Sequence, residues 1–175
     1  YEGEGKLYGD DNKLQYRGQF DAGKYEGKGT LYSGKKKRYS GEFSSGKYEG
    51  SGILYDEGGK KIYEGEFVAG KYEGKGKEYY LGKMLYEGEY QEGKRSGSGK
   101  EYSENGILIY DGEFQEGKYD GSGKIFNEES GTLLYDGELY QGMYEGSGKL
   151  YDTDKKVLLY DGEFHQGVYE GEGKL

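Results

Sequence analysis

The sequence predicts an all-β fold, an elongated single-layer antiparallel meander of tandem β-hairpin repeats of roughly 24 residues each. Three observations carry this. The tetrad Tyr-(Glu/Asp)-Gly-Glu or a near variant returns every 23 to 25 residues. Within each copy, residue character alternates with a period of two, as in a half-buried strand. A four-residue link with glycine third joins the two halves of every copy, as a tight hairpin turn requires.

The elements follow in order. A partial repeat at 1–15 opens the chain with YEGEGKLY from Tyr1, a single strand. Full repeats are expected at 16–38, 39–62, 63–85, 86–109, 110–134 and 135–159, with a truncated one at 160–175, all in one continuous domain. Each begins with an A motif: YRGQF at Tyr16, YSGEF at Tyr39, YEGEF at Tyr63, YEGEY at Tyr86, YDGEF at Tyr110, YDGEL at Tyr135 and YDGEF at Tyr160. Nine residues later a B motif follows, such as YEGKGTLY at Tyr25 or YEGSGKLY at Tyr144. Tyr63, Gly65 and Phe67 should share one side of an A strand, with Glu64 and Glu66 on the other. Tyr72, Gly74 and Gly76 should continue the first side, with Glu73, Lys75 and Lys77 opposite. Paired glycines leave room for a neighbouring ring to lie over the backbone. The A-to-B links (DAGK, SSGK, VAGK, QEGK, QEGK, YQGM, HQGV) have constant length, whereas the B-to-A connections vary. One edge of the sheet is therefore uniform and the other carries loops such as GDDNK, SGKKK and NEESG. About 15 strands spaced ~4.8 Å apart would make a rod about 70 Å long.

Composition narrows the function. Mean hydropathy is -1.12, glycine numbers 37 and the net charge is -9, values that alone lean toward disorder. The 23 tyrosines reverse that reading, because each buries a large ring while its hydroxyl stays near water. The acidic balance disfavours nucleic acid, which needs clustered Lys and Arg, and weakens attraction to anionic lipid. There is no cysteine, hence no disulfide or thiolate chemistry. No apolar run approaches the ~20 residues of a membrane-spanning helix. Because the chain starts within a repeat, its location, cytoplasmic or membrane-associated, is expected to depend on segments outside it.

The pattern Y-E-G-E-F-x-x-G-K-Y-E-G-x-G-x-L-Y resembles the MORN repeat (membrane occupation and recognition nexus) along essentially the whole chain. The Lys- and Glu-rich style, without Trp or Pro and with His165 alone, is similar to the bacterial branch. That resemblance implies a non-catalytic rod that binds partner proteins, in some members self-associates, and in some is linked to membranes and phosphoinositides.

Motif by motif, chemistry is disfavoured. Segments such as Gly41–Lys47 and Gly65–Lys71 match the start of a phosphate-binding loop, but Tyr or Arg follows the lysine where Ser or Thr would ligate magnesium. No nucleotide and no cofactor is expected. Asp10-Asp11-Asn12, Asp56-Glu57 and Asp152-Thr153-Asp154 lack calcium-loop spacing and read as solvated turns. His165 has no second histidine or cysteine for a zinc site. An open sheet with its acids outward offers no desolvated cleft for paired-carboxylate hydrolysis, so no enzyme is expected.

The tyrosine stripe is expected to be mainly mutual packing, with some rings, among them Tyr48, Tyr72 and Tyr119, reachable by a partner. The repeat breaks its own rule at Glu78 and Glu101, where other copies have Leu or Ile facing the aromatic side, and at Arg95, which replaces a tyrosine. These three charges read either as a self-neutralising cluster or as a patch where a partner's charge is recognised. The favoured function is a protein-interaction or self-assembly scaffold acting through the tyrosine- and glycine-lined face. Cell-envelope carbohydrate binding is the alternative, opposed by the lack of tryptophan, and peripheral phospholipid binding ranks third.

Overall fold

A computed structural model describes residues 1–174, the side chains of Glu172 and Lys174 excepted. Its strands are β1 Gly3–Tyr8, β2 Leu14–Asp21, β3 Lys24–Ser33, β4 Lys36–Ser44, β5 Lys47–Tyr55, β6 Lys61–Val68, β7 Lys71–Tyr80, β8 Lys83–Gln91, β9 Lys94–Tyr102, β10 Leu108–Gln115, β11 Lys118–Phe126, β12 Leu133–Tyr140, β13 Met143–Asp152, β14 Val157–His165 and β15 Val168–Lys174. They lie in sequence order in one antiparallel 15-stranded sheet, with no helix among the described residues. A motifs occupy even-numbered strands and B motifs odd-numbered ones. Two compact units are distinguished, residues 1–82 with 90–93, and residues 83–89 with 94–175.

The hairpin β6–β7 shows how one repeat holds itself together. Tyr63 is fully buried, and its ring lies along its own strand so that the hydroxyl donates to the Glu66 carbonyl at 3.1 Å. Beneath the ring Gly65 stands opposite Gly76. A Cβ added at Gly65 would fall 2.6 Å from the Gly76 Cα and 2.6 Å from the Tyr63 hydroxyl, so the ring occupies the volume that two side chains would have filled. Tyr72 stacks on the outer surface of Tyr63, ring centroids 3.7 Å apart and 3° from parallel. Phe67 abuts Tyr63 edge-on at 5.1 Å and reaches back to Tyr39 of the preceding repeat at 5.3 Å. Each such ring pair adds about 0.5–1.5 kcal/mol beyond the burial of its area. The tyrosine-to-carbonyl bond recurs in all seven A motifs at 2.7 to 3.1 Å. The expected covering of paired glycines by tyrosine is therefore what forms the core.

Two details depart from simple alternation. Glu66 pairs with Glu73 while Gly65 pairs with Gly76, so Gly74 and Lys75 bulge out of the ladder. Gly74 has φ +56, and a Cβ there would lie 2.6 Å from the Glu66 carboxylate. It thus turns toward the polar face, not the aromatic face expected for it. A second bulge precedes the A tyrosine: Tyr55 pairs with Lys61 and Leu54 with Tyr63, leaving Ile62 as the extra residue.

The A-to-B link is also tighter than expected. Its outer residues, Val68 and Lys71 here, pair as strand, so the loop is only Ala69 (φ 51) and Gly70 (φ 87). Two positive φ values define a type I′ turn, whose twist matches that of the hairpin. A non-glycine residue in this conformation costs roughly 1–2 kcal/mol, yet the first turn position holds Ala, Ser, Glu or Gln throughout. The preceding repeat supplies the compensation. The Ala69 N–H donates to the Glu49 carboxylate at 3.0 Å and the Gly70 N–H to the Tyr48 carbonyl at 2.9 Å. The same acid-to-turn clamp joins Glu26 to Ser45, Glu73 to Glu92, Asp120 to Gln141 and Glu145 to Gln166.

Burial holds Tyr16, Tyr39, Tyr63, Tyr110 and Tyr135 protonated. It pushes Tyr16 up to about 12 from an ordinary 10.0, and Tyr39, Tyr63, Tyr110 and Tyr135 move further the same way, with burial again the leading cause. A folded-state value above the unfolded one stabilises below pH 10 and is lost as pH rises through the folded value. Urea stability should accordingly be flat through neutral pH and fall above about pH 10, with tyrosinate absorbance appearing cooperatively with unfolding rather than before it. Gly76→Ala should cost about 3 kcal/mol in urea or thermal melts, whereas Lys75→Ala on the exposed bulge should change stability by less than about 0.5 kcal/mol. Glu49→Ala should cost about 1 kcal/mol through the unclamped Ala69 turn, and Glu49→Gln, which keeps an acceptor, should recover most of it.

Candidate functional site

The aromatic face has two layers. A tyrosines with Phe20, Phe43, Phe67, Tyr90, Phe114, Leu139 and Phe164 form the buried layer. Over them lie the half-buried B tyrosines, Tyr48 and Tyr72 in the first unit and Tyr119 in the second, each stacked on its A partner at 3.7 to 3.8 Å. One side of each outer ring is committed to that stack. The expectation that the stripe is chiefly internal packing with a reachable outer surface thus describes two chemically alike but geometrically different tyrosines.

Glu78 and Glu101 do face the aromatic side. Glu78 pairs with the buried Tyr63, and Glu101 with the buried Tyr110, the cross-strand places taken by Leu54 and Ile125 opposite the same kind of tyrosine elsewhere. In the first unit, burial leads the rise in the Tyr72 pKa and the Glu78 charge adds to it, while for Tyr48 burial is partly offset by Arg38.

The second unit brings Arg95, Glu101 and Tyr119 together. Arg95 occupies the position of a B tyrosine and its guanidinium lies over the Tyr86 ring, 4.4 Å from the centroid, so a cation–π contact replaces the usual ring stack. Its Nη1 donates to one Glu101 oxygen at 2.8 Å, and the Tyr119 hydroxyl donates to the other at 2.7 Å. The side chains of Arg95 and Glu101 are only 20% and 24% exposed. Desolvation first, and the Glu101 carboxylate second, push the Tyr119 pKa upward, so it remains a donor. The geometry is a fixed, charged interruption in an otherwise apolar strip.

The other motifs occupy ordinary structural places. The segments that match phosphate loops run strand, two-residue turn, strand, and no helix N-terminus follows any of them. Asp56 accepts the Lys60 N–H at 2.8 Å, Asp152 accepts the N–H groups of Asp154 and Lys155 at 2.9 Å, and Asp11 pairs with Lys13 at 2.7 Å, which closes these loops. No group of three metal-ligating side chains occurs among the described residues. His165 Nδ1 lies 2.9 Å from Glu145, whose hydrogen bond first and charge second raise the imidazole pKa. Sequence reasoning missed the role of the B-motif acids as turn clamps. The signal was present in the strict conservation of an acid or serine after each B tyrosine position across the repeats, but its target lies some twenty residues downstream in the next hairpin.

The MORN repeat profile matches residues 16–37, 39–60, 63–80, 86–107, 110–126, 135–157 and 160–175. No curated protein matches the chain. Seven matched repeats, each carrying the tyrosine, paired glycines and turn described above, place this chain in the MORN-repeat family.

Proposed function

We propose that the chain is a non-catalytic scaffold whose aromatic face binds a segment of another protein. MORN repeats serve in general as interaction scaffolds for proteins or membranes. The observation that carries the protein reading here is the outer tyrosine layer. Tyr48, Tyr72 and Tyr119 are held rigid by stacking on buried partners, so contact with them costs little side-chain entropy. Beside Tyr119, the Arg95–Glu101 pair adds directional charge that a purely apolar strip would lack. A peptide laid on the aromatic face of the second unit gains apolar area from its outer rings and is sorted by charge at the Arg95–Glu101 pair.

Selection from a displayed peptide library is the direct test. Enriched peptides should carry apolar or aromatic anchors with charged residues, and their affinity should fall about tenfold, or ~1.4 kcal/mol, in Tyr72→Ser or Tyr119→Ser. Lys124→Gln, on the opposite face, should leave it unchanged. Arg95→Tyr with Glu101→Leu should keep the fold and binding while relaxing charge selectivity. Enrichment of glycans on an array, or flotation with anionic vesicles at physiological salt, in place of peptide binding would replace the protein reading by the carbohydrate or lipid one.

A further inference from the structure

Charge is divided unequally between the two units. Residues 1–82 and 90–93 contain 15 basic and 15 acidic side chains, leaving 10 and 19 for the second unit, which therefore carries the whole net charge of -9. The polar faces show where this imbalance is displayed.

On the polar face of the second unit, one cross-strand row reads Lys100, Asp111, Lys124, Asp136, Lys149, Asp161. It neutralises itself through bridges at 3.2, 3.2 and 3.4 Å. The adjacent row carries Glu113, Glu138 and Glu163 opposite Ser98, Ser122 and Ser147. Serine hydroxyls do not balance carboxylates, and the row contains no cation.

The same rows in the first unit are filled differently. Lys6 stands directly opposite Arg17, and the row continues through Thr30 and Ser40, because the first two A motifs have Arg and Ser where the others have Glu or Asp. Like charges on facing strands are unfavourable unless something neutralises them. Neither cation has an ion pair among the described residues. They border a concavity of about 770 Å³ over β1–β5, whose charged lining is Lys6, Arg17 and Lys28 with Glu4 and Glu42, Lys28 facing Glu42, so that cations exceed acids by one.

We propose that this groove takes the carboxylate-rich polar face of the second unit of another copy of the chain, so that copies associate with one another. Charge complementarity favours this occupant: the second unit carries the whole net charge of -9 and displays Glu113, Glu138 and Glu163 opposite serines, whereas Lys6 and Arg17 face each other on the first unit. The contact joins two different surfaces, groove to face. Because the charges are exposed, the contact weakens steeply with salt. It uses the face opposite the tyrosine layer and so leaves that layer accessible.

Sedimentation velocity of the full chain at about 20 mM and about 0.5 M salt tests the idea. Association at low salt and a return to the monomer at high salt are expected. Lys6→Glu with Arg17→Glu should abolish association, as should Glu113→Lys with Glu138→Lys, and an equimolar mixture of these two variants should associate again. If the lysine variants melt early, Glu113→Gln with Glu138→Gln serves in the single-variant arm and should weaken association. Monomers at every salt concentration, or association unchanged in the Lys6/Arg17 variant, overturn the proposal. Association that survives the charge changes but is lost in Tyr72→Ser also overturns it, while leaving the aromatic-face reading intact. Failure of peptide binding with salt-dependent association preserved would do the reverse.

Discussion

A tyrosine ring laid over a pair of facing glycines, its hydroxyl tied to a carbonyl of its own strand, is the contact from which the rest of the structure follows. A single sheet has no second layer to bury its apolar side, so it must make a core from its own side chains. Tyrosine can do this because its ring covers two residues of backbone and its polar end still finds an acceptor. Glycine is needed beneath it because any Cβ at either member of the pair would occupy the ring's volume. The stack of the B tyrosine and the edge contacts of phenylalanine depend on that first ring lying flat. Their continuity from one repeat to the next then makes stability a nearest-neighbour property.

The turns add a second coupling between repeats. A two-residue loop with both φ values positive fits the hairpin's twist, but it exposes N–H groups and strains any non-glycine residue placed first. The acid of the preceding B motif accepts one of those N–H groups and the preceding B tyrosine carbonyl accepts the other. Each hairpin is therefore completed by the one before it. The acids that give the chain its acidic composition are in this respect divided: Glu26, Glu49, Glu73, Asp120 and Glu145 clamp turns, whereas Glu113, Glu138 and Glu163 in the second unit stand opposite neutral serines.

Function follows from what this scaffold leaves exposed on its two faces. On the aromatic side the outer tyrosines are positioned rigidly, and at one place a Tyr–Arg contact with a doubly engaged carboxylate replaces ring stacking. On the polar side the charge differs between the units, with Lys6 facing Arg17 on the first and a row of carboxylates opposite serines on the second. A repeat architecture permits this division because surface residues can vary between copies without disturbing the ring and glycine positions that hold each copy.

By itself the sequence determined the repeat length, the strand order, the pairing of tyrosine with glycine and the side on which Glu78, Arg95 and Glu101 lie. These depend on short-range periodicity, which a two-residue alternation and a fixed turn length transmit directly. Tertiary structure decided what periodicity cannot carry. The bulge at Gly74 reverses the side that glycine faces, because a left-handed residue breaks the alternation locally. The target of each B-motif acid, the engagement of both Glu101 oxygens by Arg95 and Tyr119, and the gathering of Lys6 with Arg17 all join residues brought together only by cross-strand pairing. Register sets those meetings, and register is established when the rings close over the glycines of the neighbouring strand.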